Sequence, residues 1–137
     1  MTKIVVVSTA PIFPTNNGYK SSVLGRIVEL LNEGNEVVLI EINLEKVTEK
    51  KDELIPTRFN NVQRYEVKKI SRSFIAELQI LFDIRTRYEQ LFSSADIRDN
   101  IKKIIDLEKP SIIIAESIWA LQALPIEISA RIHCVIH

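Results

Sequence analysis

Ile4-Val5-Val6-Val7, then Ser8-Thr9-Ala10-Pro11-Ile12-Phe13-Pro14-Thr15-Asn16-Asn17-Gly18, and later Gly34-Asn35-Glu36-Val37 are the segments that decide how this chain folds. The first is an apolar strand and the second a proline-containing loop. The third is the entry to another strand, Val37–Ile42, nearly unbroken in its apolar character. Between loop and second strand, Val23, Ile27, Leu30 and Leu31 recur at helical spacing, with Lys20, Arg26, Glu29 and Glu33 on the remaining faces. Gly34 stands where a left-handed residue would stop that helix. Strand, helix and parallel strand in this order form a right-handed crossover, which puts the 8–18 loop at the carboxyl edge of a parallel sheet. Open α/β sheets bind ligands at that edge.

The rest of the chain continues the alternation. Residues 44–61 are charged and carry Pro56 and Asn60-Asn61, the composition of a loop. A strand is expected over Val62–Ile70, a helix over Ser73–Phe92 and a second helix from about Ala95 to Leu107, which Pro110 cannot continue. Ser111–Ala115, apolar from Ile112 onward, is an expected strand. A short helix with Trp119, Leu121 and Leu124 ends before Pro125, and Ile132–Ile136 is the last expected strand. The fold class is therefore α/β, a Rossmann-like three-layer sandwich with a mostly parallel sheet, and residues 1–137 make a single domain. A chain of this length buries roughly two thirds of its unfolded surface.

Composition narrows the function. Eighteen basic residues balance eighteen acidic ones, so no net field attracts a nucleic-acid backbone. The single cysteine, Cys134, cannot form an internal disulfide, and no apolar run approaches the ~20 residues of a spanning helix. With no signal-peptide pattern ahead of the first strand, the expected location is cytoplasmic. The apolar stripe of residues 73–92, with Lys68, Lys69, Arg72, Arg85 and Arg87 in or near it, either packs on the sheet or docks on a partner domain or peripherally on the inner face of a membrane.

Candidate site residues follow from position. Gly18 closes the loop and opens a helix, so it either lets a ligand approach backbone N–H groups there or merely permits a turn. Neither G-x-G-x-x-G nor G-x-x-x-x-G-K-[ST] is present, and Gly25 is expected to allow close helix–sheet packing. Glu116 ends a buried strand beside Ser117, where its carboxylate either accepts from substrate hydroxyls or favours the N-terminus of the next helix. His133 and His137 share a strand face but lie roughly 13 Å apart, too far to hold one ion. No metal site is expected. Cys134 is expected in the core and His133 in a structural role. His137 stands at a strand's carboxyl end, where an acid/base or sugar-binding side chain belongs.

Lys3-Ile4-Val5-Val6-Val7-Ser8-Thr9-Ala10-Pro11, Pro14-Thr15-Asn16-Asn17-Gly18-Tyr19-Lys20 and Leu30-Leu31-Asn32-Glu33-Gly34-Asn35-Glu36-Val37 resemble the start of two-domain GT-B glycosyltransferases. The likeness is closest to the retaining enzymes that build bacterial polysaccharides and lipopolysaccharides. Ser111-Ile112-Ile113-Ile114-Ala115-Glu116-Ser117 and Cys134-Val135-Ile136-His137 look like two later strands of the same domain. Two positions depart from the pattern: Asn17 replaces the first glycine of a usual pair, and Asn35 a usual histidine. The resemblance implies one half of a GT-B fold, the acceptor-binding half. The complete enzyme would move a hexose from a nucleotide-diphosphate sugar to a saccharide or lipid-linked acceptor, without cofactor or metal.

In that likeness His137 faces the transferred sugar. Asn17, Gly18, Tyr19 and Lys20 line the cleft, and Glu116 and Ser117 its acceptor side. The donor is bound mainly by a second, C-terminal domain that these 137 residues do not supply, so this part alone is expected to be inactive. The alternative is a non-catalytic module that recruits acceptor, or docks on a membrane, for a separate donor-binding chain.

Overall fold

The computed structural model describes residues 2–13, 15–43, 59, 62–68 and 95–137. Chain order is β1 (Lys3–Ser8), α1 (Gly18–Asn32), β2 (Glu36–Asn43), β3 (Gln63–Lys68), α2 (Ala95–Glu108), β4 (Ile112–Ala115), α3 (Ile118–Gln122) and β5 (Arg131–Cys134). The strands form one sheet in the order β3-β2-β1-β4-β5, and every adjacent pair is parallel. The expected parallel pairing of the first two strands is realised, with Val5 opposite Val38 and Val6 opposite Leu39.

Side chains alternate across the sheet, and each face has its own core. Ile4, Val6, Val37 and Leu39 pack with Val23 and Ile27 of α1. Val5, Val7, Val38, Ile40 and Ile113 pack with Ile97, Ile101 and Ile105 of α2. Val5, Val6 and Val7 are all fully buried because β1 is central and covered on both sides. Burying each such side chain contributes about 1.5–3 kcal/mol. The result is the three-layer α/β sandwich expected from the sequence.

The end of α1 shows why the chain turns where it does. Gly34 has φ +85°, its N–H donates to Leu31 O at 3.0 Å, and Asn35 N–H donates to Leu30 O at 3.2 Å. This is a Schellman motif. The Asn35 side chain adds a second donor to the Leu30 carbonyl at 3.1 Å, giving the asparagine a local role. At the end of α2, Lys109 takes a left-handed φ of 47° immediately before Pro110.

Four expectations change. Gly25 is exposed, and a Cβ there would meet nothing within 4 Å, so it allows no close packing on the sheet. Cys134 is exposed rather than in the core. His133 beside it is exposed too, so its place in the fold is the backbone pairing opposite Ile114 and not a buried side chain. The cause is the same for both: β5 is the outermost strand on its side among the described residues, and its four residues are all exposed. It is also shorter than the expected Ile132–Ile136 strand. The expected helix over 73–92 and nearly all of the 44–61 loop lie outside the described residues. So do the last two residues of the expected 62–70 strand.

Candidate functional site at the carboxyl edge

The strand order reverses between β1 and β4, since the chain builds β2 and β3 on one side of β1 and then β4 and β5 on the other. Such a switch point leaves a crevice outside the carboxyl ends of the two strands. The chain leaves β1 there at Thr9, and the buried polar groups of the sheet gather beneath the loop that follows. Ser8 pairs in register with Glu41, and Glu116 follows Ala115, the partner of Val7. Glu41, Ser8 and Glu116 therefore form a transverse row across β2, β1 and the end of β4, all facing the α1 layer. They are 3%, 0% and 0% exposed. A buried carboxylate needs cations or N–H donors, and both acids have them.

Glu41 holds the loop down. Its Oε2 accepts Ile12 N–H at 2.8 Å, and its Oε1 accepts Arg64 Nε at 2.9 Å and Nη2 at 2.6 Å. Ile12 and Phe13 are buried in the α1-side core. Phe13 meets Phe59 edge-on at 5.5 Å between centroids, and the Arg64 guanidinium lies 5.3 Å from the Phe13 ring centre. Ser8 Oγ donates to Ala10 O at 2.6 Å, tightening the exit from β1. The middle of the loop is thus anchored, while Asn16, Asn17 and Gly18 remain exposed.

Glu116 organises the other side. Its Oε1 accepts Arg26 Nε at 2.5 Å and its Oε2 lies 3.1 Å from His137 Nε2. Arg26 reaches it from α1, two turns below the helix start. Tyr19, in the first turn of α1, meets the His137 ring edge-on, centroids 4.9 Å apart. Its hydroxyl oxygen accepts Thr9 N–H at 3.0 Å and lies 3.1 Å from Thr9 Oγ1. The end of β1, the start of α1, the end of β4 and the segment after β5 are thereby joined in one polar cluster.

Of the residues singled out in the sequence, Tyr19, Glu116 and His137 come together. Asn17 caps α1, its Oδ1 accepting Lys20 N–H at 2.9 Å, so those two residues serve the helix start. Gly18 has no left-handed φ, and a Cβ added there would meet nothing within 4 Å, so no turn demands glycine at this position. Ser117 caps α3 by accepting Ala120 N–H at 3.1 Å. Thr9, Arg26, Glu41 and Arg64 belong to the cluster and its supports without having been expected there. Glu41 carried a usable signal: a lone carboxylate near the end of a buried apolar strand must find a partner. Arg26 carried none, since one guanidinium on a helix resembles any solvated face.

A separate polar group lies towards the opposite edge of the sheet. Glu108 accepts the Tyr65 hydroxyl at 2.6 Å and Lys3 Nζ at 3.1 Å. The Tyr65 bond, then Lys3, hold the Glu108 carboxyl below its ordinary range. The same bonds to Glu108 push the Lys3 ammonium and the Tyr65 phenol upward. Among the described residues, no group of three or more His, Cys, Asp or Glu side chains is placed to hold a metal ion, and no helix is long and apolar enough to cross a membrane. No protein-family model, curated protein or solved structure matches the chain.

Proposed function

We propose that this chain is the acceptor-side domain of a two-domain glycosyltransferase. The complete enzyme transfers a hexose from a nucleotide-diphosphate sugar to a saccharide or lipid-linked acceptor in surface-polysaccharide assembly. The observation that supports the reading is the gathering of Tyr19, Glu116 and His137 at the switch point of a parallel sheet, beside a loop whose last residues, Asn16, Asn17 and Gly18, are exposed. This is where α/β folds bind small ligands, and the sequence likeness supplies the class of ligand.

In this proposal His137 contacts the transferred sugar. Its side chain is 24% exposed, open enough to meet a ligand while one ring nitrogen stays committed to Glu116. Glu116 is fully buried with both oxygens engaged, so it acts on the sugar through His137. Tyr19 supplies an aromatic wall for that ring, and Asn17, Gly18 and Lys20 form the rim. The test is His137→Ala in the complete polypeptide, assayed for hexose transfer from nucleotide-diphosphate sugars. A fall in kcat/KM of about a hundredfold is expected for losing one polar contact to the reacting sugar. Unchanged turnover would remove the assigned role.

A further inference from the structure

Glu116 meets the His137 ring at one nitrogen only, with Arg26 behind it, and hydrogen-bond chemistry makes that arrangement directional. Arg26 is a donor with no acceptor function, so the group bonded to its Nε must offer an oxygen lone pair. Glu116 does so with Oε1 at 2.5 Å, as an ionised carboxylate paired with the guanidinium. An ionised carboxylate is an acceptor on both oxygens. His137 Nε2, 3.1 Å from Oε2, must therefore carry the hydrogen. In the neutral ring this leaves the lone pair on Nδ1, which bonds to no described residue.

We infer that Arg26 and Glu116 are positioning residues that hold His137 as the Nε2–H tautomer, so that its Nδ1 accepts a hydrogen bond from a ligand hydroxyl. That the hydroxyl belongs to a sugar rests on the glycosyltransferase reading; the tautomer does not. Among the described residues, the charged or titratable groups against the ring are Glu116 from the end of β4 and Tyr19 from α1, with Arg26 behind Glu116. Tyr19 meets the ring in an edge-on arrangement, 68° from coplanar. The site thus selects ligands that donate at this point, and a ligand presenting only an acceptor there meets a lone pair.

The structure supplies a test with a change of sign. In Glu116→Gln the side chain keeps its shape, but its two ends differ. Arg26 takes the amide oxygen, so the amide NH2 faces His137 and needs a lone pair on Nε2. The histidine should then switch to the Nδ1–H tautomer. Adding Arg26→Met removes the demand, the amide can rotate, and the Nε2–H form should return.

Nitrogen-15 correlation spectra of the protein, labelled at histidine and assigned by loss of the signal in His137→Gln, read the tautomer directly. At a pH high enough to keep the ring neutral, the expected result is a protonated Nε2 and an unprotonated Nδ1 in the natural sequence, inversion in Glu116→Gln and reversal in the double variant. An unprotonated Nε2 in the natural protein would overturn the inference by itself, whether or not the variants fold. An unchanged tautomer in folded Glu116→Gln would also overturn it. Hexose transfer is scored separately. The expected tautomer in a complete polypeptide that transfers no hexose refutes the enzyme reading alone, whereas transfer by that polypeptide with the opposite tautomer refutes this inference alone.

Discussion

Replacing Glu41 by alanine should both destabilise the protein and free its ligand loop. Glu41 is 3% exposed, and its partners include the Ile12 N–H and Arg64. Without it, the Ile12 N–H, now 2.8 Å from Oε2, is left buried and unpaired, at about 1–3 kcal/mol. Arg64 loses the acceptor of its Nε and Nη2. Its side chain is 24% exposed and can turn towards water, so that loss adds under about 1 kcal/mol. The combined cost is about 3 kcal/mol, a large part of a domain's ordinary stability. Urea denaturation measures it, and hydrogen exchange at the Ile12 amide reports the loop. Glu36→Ala is the control. Glu36 is 48% exposed and its ion pair with Lys3 spans 3.5 Å, so the change should be at most about 0.5 kcal/mol. If Glu41→Ala cost no more than its control, or if the Ile12 amide stayed as protected, the anchoring role would be refuted.

Two further predictions concern other parts of the fold. Glu108 has a depressed folded-state pKa, so its contribution is present above the unfolded value near 4.5 and is lost as pH falls through the folded one. Tyr65→Phe deletes the main cause of that depression, and acid unfolding followed by circular dichroism should move to higher pH. Tyr65 and Lys3 have raised values, so their contributions are present below the unfolded values of 10.0 and 10.5 and fade as pH rises above them. Gly34→Ala places a side chain at φ +85° and should cost about 1 kcal/mol, whereas Gly25→Ala, exposed inside α1, should stabilise by about as much. Thermal melting of the two variants should shift in opposite directions.

The fold was legible because its signals are local and repeated. The runs Ile4–Val7, Val37–Ile42 (interrupted only by Glu41) and Ile112–Ala115 have the length and β-branched content of strands covered on both faces. Gly34 and Pro110 mark the helix ends through backbone chemistry that needs no tertiary information. The site was legible only where chain direction fixes position. Tyr19, Glu116 and His137 each lie at a strand's carboxyl end or just beyond the loop it feeds. Arg26 was not legible, because it joins Glu116 across ninety positions of sequence and looks like a solvated helix residue until the layers are stacked. Cys134 and His133 went the other way. An apolar strand suggests burial, but burial depends on what lies beside β5, and strand composition does not encode that.

The row of Glu41, Ser8 and Glu116 ties the chemistry of the rim to correct assembly of the sheet. Sliding β2 or β4 by one residue would carry its carboxylate through to the isoleucine-lined layer, out of reach of Arg64 or Arg26. A carboxyl left in hydrocarbon without its cation must give up its charge and still lacks hydrogen-bond partners, so the shifted register is less stable than the native one. The same two acids that tie down the rim thus favour the native register of the strands beneath it.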